Sequence, residues 1–148
     1  MSRPTVSICT PTYNRREFIP LLIQAVKNQS YPHNLMEWII IDDGDDKVED
    51  LFKKVKFIDV KYFKYDERMK LGKKRNVMHS KCTKDVILYM DDDDYYPADR
   101  VKHGIARLYS KPKIKIAGSS MMYIYYTHID KIYSVGPYAP YHATAGTF

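Results

Sequence analysis

The chain has 148 residues, 45% of them hydrophobic, enough to bury one substantial core and too few for two comfortable ones, so a single domain is expected. Its 24 Lys+Arg against 18 Asp+Glu leave a formal charge of +6, which suits an anionic partner. The acids are clustered while the bases are spread out, a pattern that favours a small polyanion at a mixed site over a long nucleic-acid track.

No charged-then-apolar leader and no apolar run of membrane-spanning length is visible. Cys9 and Cys82, the only two cysteines, read as reduced thiols of a cytoplasmic protein. Thr5 to Thr10 is a β-branched apolar run halted by Pro11, which predicts a buried strand ending in a loop. Phe18, Leu21, Leu22, Ala25 and Val26 follow the i, i+3, i+4, i+7, i+8 spacing of a helix packed on one face. Asn14 and Glu17 resemble a capping box for it, with Pro20 then lying inside the helix.

Met36 to Ile41 predicts a second buried strand, Lys47 to Val55 a short helix, and Lys56 to Tyr65 a half-exposed strand. Leu71 to Cys82 carries helix formers with Val77 and Met78 turned inward, and Val86 to Met90 is another buried strand. A helix from about Ala98 to Tyr109 and a strand over Ile114 to Ser120 follow. Strand and helix alternate through residue 110, the signature of an α/β fold: a Rossmann-like, mostly parallel sheet flanked by helices. From Met121 to Val135 the pattern becomes two alternating runs around His128 to Asp130, a β-hairpin expected at the sheet edge. The remaining residues predict no helix.

Ligands of open α/β sheets sit outside the carboxyl ends of the strands. Three predicted strands end in polar clusters: Thr10 to Arg15, Asp42 to Asp46 and Asp91 to Asp94. The four consecutive aspartates read either as a solvated loop with Asp94 capping a helix or as a divalent-cation site, with Asp91 and Asp93 on one side of an extended chain. An EF-hand is excluded because Tyr96 and Lys102 stand where that loop needs Gly and Glu. Asp42, Asp43 and Gly44 read as a tight turn with Gly44 at positive φ, or as carboxylates accepting from a base or ribose. Tyr13 is either an ordinary aromatic or a base-stacking platform. Lys70, Lys73, Lys74 and Arg75 surround Gly72 at a helix start, as a solvated face or a diphosphate cradle without P-loop spacing. His79 and His103 lack metal-ligand spacing.

In order, "VSICTPTYNR", "WIIIDDG", "LGKKRN" and "LYMDDDDYYP" resemble the family 2 glycosyltransferases, inverting nucleotide-diphosphosugar enzymes of the GT-A fold. The resemblance implies Tyr13 stacked on uracil with Thr12 beside it and Arg15 in the same loop. It also implies Asp42, and secondarily Asp43, accepting from the base imide. Gly72, Arg75 and Asn76 would lie near diphosphate and ribose. Asp91 and Asp93 would hold ribose and a Mn²⁺ or Mg²⁺ ion, with Asp92 between them. The implied donor is a UDP-sugar and the implied acceptor a saccharide or other hydroxyl; nucleic acid is not an expected partner.

The family's catalytic base is an acidic residue well beyond the Asp-x-Asp, yet after Asp99 this chain has only Asp130, in the predicted hairpin. The expectation is therefore a single donor-binding domain over residues 1–148 that lacks its base and acceptor part, the base lying beyond Phe148. Two alternatives stand: a donor-binding module without turnover, and a sugar-1-phosphate nucleotidyltransferase, whose glycine-rich first loop is absent here.

Overall fold

The computed structural model describes residues 3–139 and 142. The chain forms two compact units, Met1–Ala106 and Arg107–Phe148.

In the first unit the elements run β1 (Val6–Thr12), α1 (Ile19–Lys27), a short 3-10 turn (His33–Leu35), β2 (Met36–Asp42), α2 (Glu49–Phe52), β3 (Asp59–Lys64), α3 (Leu71–Lys81) and β4 (Val86–Tyr89), and α4 (Arg100–Leu108) starts within it. The four strands make one parallel sheet in the order β3-β2-β1-β4. Every residue of β2 is buried, as a central strand covered on both faces requires. The strand period of two divides its side chains between two cores. Trp38 and Ile40 pack with Ile8, Leu22, Val26, Phe52 and Val101 on one face, while Ile39 and Ile41 pack with Cys9 and Met78 on the other. Each fully buried isoleucine contributes about 1.5–3 kcal/mol through the apolar area it removes from water.

The strand between α4 and the hairpin, expected over Ile114 to Ser120, is absent: residues 111–120 have no regular structure. The alternation there has no ladder partner, and Ile116 is 76% exposed. In the second unit β5 (Met122–Tyr126) and β6 (Lys131–Val135) pair antiparallel. They form a two-stranded sheet of their own instead of extending the parallel one.

Three local expectations also change. Pro11 does not end β1, because it lies within the ladder opposite Ile41 and the strand continues to Thr12. Pro20 opens α1 instead of interrupting it, a position where its missing N–H costs nothing. Asn14 caps no helix: it adopts φ 52°, and its Oδ1 accepts from the Asp46 N–H at 3.0 Å. Among the described residues no helix is long and apolar enough to cross a membrane.

Candidate donor-binding site

Parallel register aligns the strand ends. Thr12 stands opposite Asp42 across β1 and β2, and Cys9 opposite Tyr89 across β1 and β4. The first loop, the Asp42–Gly44 loop and the aspartate run therefore leave the sheet along one edge, where an open α/β sheet binds its ligands. A cleft of about 590 Å³ lies there. The first loop contributes Thr12, Tyr13, Asn14 and Arg15, the segment entering α3 contributes Arg68, Leu71 and Lys74, and the aspartate run contributes Asp91, Asp92 and Asp93.

The two aspartates ending β2 do different work. Asp42 is fully buried. Its Oδ1 accepts from the Gly44 N–H at 2.9 Å, and its Oδ2 accepts from the Val48 N–H at 3.0 Å and from the Tyr62 hydroxyl. Both oxygens are committed to shaping the loop, and Asp42 does not line the cleft. Asp43 is buried as well and does not line the cleft either: its Oδ1 meets the buried Lys74 ammonium, and its Oδ2 accepts from the Met69 N–H at 2.6 Å. Lys74 also donates to the Thr12 carbonyl at 3.1 Å, so this one cation joins β1, β2 and α3 beneath the cleft.

Gly44 has no positive φ, contrary to expectation. The glycine is required by close approach, since a Cβ there would stand 2.5 Å from the Asn14 nitrogen. Tyr13 is half-buried, with the Arg68 guanidinium 4.2 Å from its ring centre and the Lys74 ammonium at 5.9 Å. Cations at these distances favour the ring face electrostatically.

Along the aspartate run, counter-charge and burial compete. Arg15 pairs with Asp93 at 3.2 Å, and Arg75 with Asp91 at 3.4 Å. Burial, reinforced by neighbouring carboxylates, pushes Asp91, Asp92 and Asp94 above the usual carboxylate range, because desolvation disfavours the charged form. Asp91 Oδ1, Asp92 Oδ2, Thr12 Oγ1 and Arg75 Nε are buried without a hydrogen-bond partner. Two orphaned carboxylate oxygens beside an exposed Asp93 are a donor set that a hard cation fits. Among the described residues, however, no three His, Cys, Asp or Glu side chains are grouped closely enough to hold a metal by themselves. Any ion here would take part of its shell from a ligand or water. Asp94 caps no helix, since α4 begins at Arg100.

Gly72 and Asn76 are exposed and do not line the cleft. A Cβ at Gly72 would meet nothing within 4 Å, so no tight approach dictates glycine there. Arg75 reaches the site indirectly, through Asp91 and by stacking on Tyr89 at 4.7 Å. Sequence reasoning did not single out Arg68, which sits in a loop without periodicity. Lys74 was visible only as one of four cations, but its position one turn before Met78, on the inward face of α3, was a signal for burial.

A parallel α/β sheet whose carboxyl edge carries an aromatic residue, paired cations and an aspartate run has the architecture of the GT-A glycosyltransferases. The profile of glycosyl transferase family 2 matches residues 7–139, and the chain belongs to that family. It is 27% identical over 133 residues to TuaG of Bacillus subtilis (strain 168), a glycosyltransferase attributed to teichuronic acid biosynthesis. The match takes in 87% of this chain and 52% of TuaG, so the chain spans about half the length of that relative. The structure of residues 1–349 of Staphylococcus aureus TarS in complex with UDP-GlcNAc superposes with a TM-score of 0.66 at 25% identity, covering 72% of this chain and 31% of the other. The mannosyltransferase PcManGT from Pyrobaculum calidifontis, in complex with GDP-Man and Mn²⁺, reaches a TM-score of 0.69 at 21% identity, covering 76% and 34%. It speaks for the fold alone.

Proposed function

We propose that this chain is the donor-binding part of a cytoplasmic, inverting, metal-assisted glycosyltransferase that moves a sugar from a nucleoside diphosphate, UDP first among the candidates, to an acceptor hydroxyl. The observation that carries the reading is the cleft itself, which sets an aromatic face, three cations and three aspartates along one strand edge. UDP-GlcNAc bound to the related TarS structure favours uridine.

In this reading Tyr13 offers its ring to the base. Asp43, pinned by Lys74 and the Met69 amide, keeps a second lone pair on each oxygen for a base N–H. Arg15, Arg68 and Arg75 supply positive charge around the diphosphate, with Gly72 and Asn76 at the outer rim. Asp91, Asp92 and Asp93 hold the ribose and a Mn²⁺ or Mg²⁺ ion, which when bound neutralises charge on the departing diphosphate. Asp130 accepts from the Tyr125 hydroxyl at 2.8 Å in the hairpin, and the reading leaves the base that activates the acceptor to residues outside this chain.

The deciding experiment is calorimetry of UDP and GDP binding with Mn²⁺, Mg²⁺ or chelator, on the wild type and Asp93→Ala. UDP should bind more tightly with metal, and Asp93→Ala should remove most of that increment, because a sparsely coordinated ion has few substitute ligands. Equal affinity in metal and in chelator would reject metal assistance. Absence of binding by either nucleotide would reject the donor site.

A further inference from the structure

On the sheet face away from Trp38, Cys9 and Cys82 bring their sulfurs to 3.4 Å although 73 positions separate them in sequence. Both are free thiols. Cys9 lies inside β1 with no exposed surface, whereas Cys82, just past the end of α3, is half-buried and also reaches the Met78 carbonyl at 3.2 Å. The approach is built into the fold. Buried Glu37 accepts from the Thr83 N–H at 2.7 Å, from the Thr83 hydroxyl at 2.8 Å and from the Ser7 hydroxyl at 2.6 Å. Ser7 Oγ in turn accepts from the Lys84 N–H at 3.3 Å. The residues after Cys82 are thus tied to β1 and β2, and Cys82 cannot drift from Cys9 without breaking these hydrogen bonds.

We propose that Cys9 and Cys82 form an oxidisable pair, a modification site at which a hydroperoxide converts the two thiols into an intramolecular disulfide bridging β1 and the end of α3. Bringing the sulfurs to about 2.05 Å requires a movement of little more than an ångström. The partly accessible Cys82 acts first. Its thiolate attacks the peroxide, an S–O bond forms as the O–O bond breaks, and hydroxide leaves. The Cys9 sulfur then attacks the Cys82 sulfenic acid, the S–S bond forms, the S–O bond breaks, and the Cys9 proton leaves with the oxygen as water. In sum, two thiols and one hydrogen peroxide give one disulfide and two waters.

The order of attack has electrostatic support. The hydrogen bond between the two thiols, together with burial, pushes Cys9 far up. The same hydrogen bond, helped by Ser7 and by the Lys61 charge, lowers Cys82. Thiolate character and access are what select a cysteine for oxidation. Reduced thiols in a reducing compartment fit a transient bridge of this kind.

The test is to expose the native protein to hydrogen peroxide, alkylate it and measure intact mass and linked peptides, in buffer and in urea. The expected result is loss of two hydrogens, both thiols protected from alkylation, a peptide joining positions 9 and 82, and full reversal by dithiothreitol. Cys9→Ser should leave a sulfenic acid on Cys82 that dimedone traps, and Cys82→Ser should leave Cys9 unoxidised. A Cys82 that stops at sulfenic or sulfinic acid while Cys9 stays alkylatable after unfolding would overturn the proposal. So would a bridge that forms only in urea. None of these readouts depends on nucleotide binding, so their outcome is independent of the donor-site reading.

Discussion

Replacing Lys74 by methionine tests the joint beneath the cleft most directly. The Lys74 side chain is 7% exposed and its partner Asp43 is 0% exposed, so water cannot take over the lost contacts. The substitution keeps the aliphatic packing and removes the ammonium. Asp43 then retains only the Met69 N–H, and the Thr12 carbonyl loses its 3.1 Å donor. A charge-assisted hydrogen bond contributes about 1.5–3 kcal/mol, the carbonyl loses about 1 more, and an uncompensated buried carboxylate brings the total to about 3–5 kcal/mol. Against a domain stability of about 5–15 kcal/mol, this is a large effect. With a urea slope near 2 kcal/mol/M, the unfolding midpoint should fall by about 1.5–2.5 M. Lys74→Met combined with Asp43→Asn should recover much of the loss, since no charge is left stranded. A single-variant cost below about 1 kcal/mol, or strictly additive costs in the double variant, would show that the pair is solvated in solution and the joint unimportant.

Three further outcomes are expected. Tyr13→Ala should weaken nucleotide binding by about 1–3 kcal/mol while Tyr13→Phe changes little; equal losses in calorimetry would shift the role to the hydroxyl. Gly44→Ala should destabilise the fold by about 1–3 kcal/mol, because its Cβ would collide with the Asn14 backbone and side chain, and chemical denaturation reads the cost. Stability should also depend on Glu37. Burial would raise this carboxyl, but hydrogen bonds from Lys61, Ser7 and Thr83 outweigh it and hold it at about 2. Its contribution of about 2–3 kcal/mol should be complete above about pH 4.5 and lost as pH falls toward 2, and Glu37→Gln should flatten that part of the pH–stability curve.

Much of the fold was legible because local chemistry and tertiary context agree. The runs around Ile8, Ile39 and Leu88 are mostly β-branched or apolar, and the central strand β2, covered on both faces, needs little else. The hairpin likewise followed from alternation flanking a turn. The alternation of Lys113, Ile114, Lys115 and Ile116 looked equally strand-like and failed, since a strand exists only through the ladder it joins. Pro11 and Pro20 were misread for a related reason: what proline costs depends on whether its nitrogen faces a partner, which is a property of the neighbouring chain segment.

The site divides in the same way. The amino-acid sequence by itself determined that three polar clusters follow three buried strands, because apolar runs and their polar punctuation are one-dimensional features; the parallel register then brought those clusters to one edge. Only the tertiary structure decided which side chains of these clusters line the cleft and which are tied up beneath it. Asp42 and Asp43 are adjacent and chemically identical, yet Val48 and Tyr62 draw one carboxylate into the loop while Lys74 and Met69 hold the other beneath the ligand space. Those partners come from four different places along the chain, and side-chain orientation is set by hydrogen bonds that close only when the elements pack. For the same reason the proximity of Cys9 to Cys82 left no mark on their spacing: it arises from where α3 ends against the sheet.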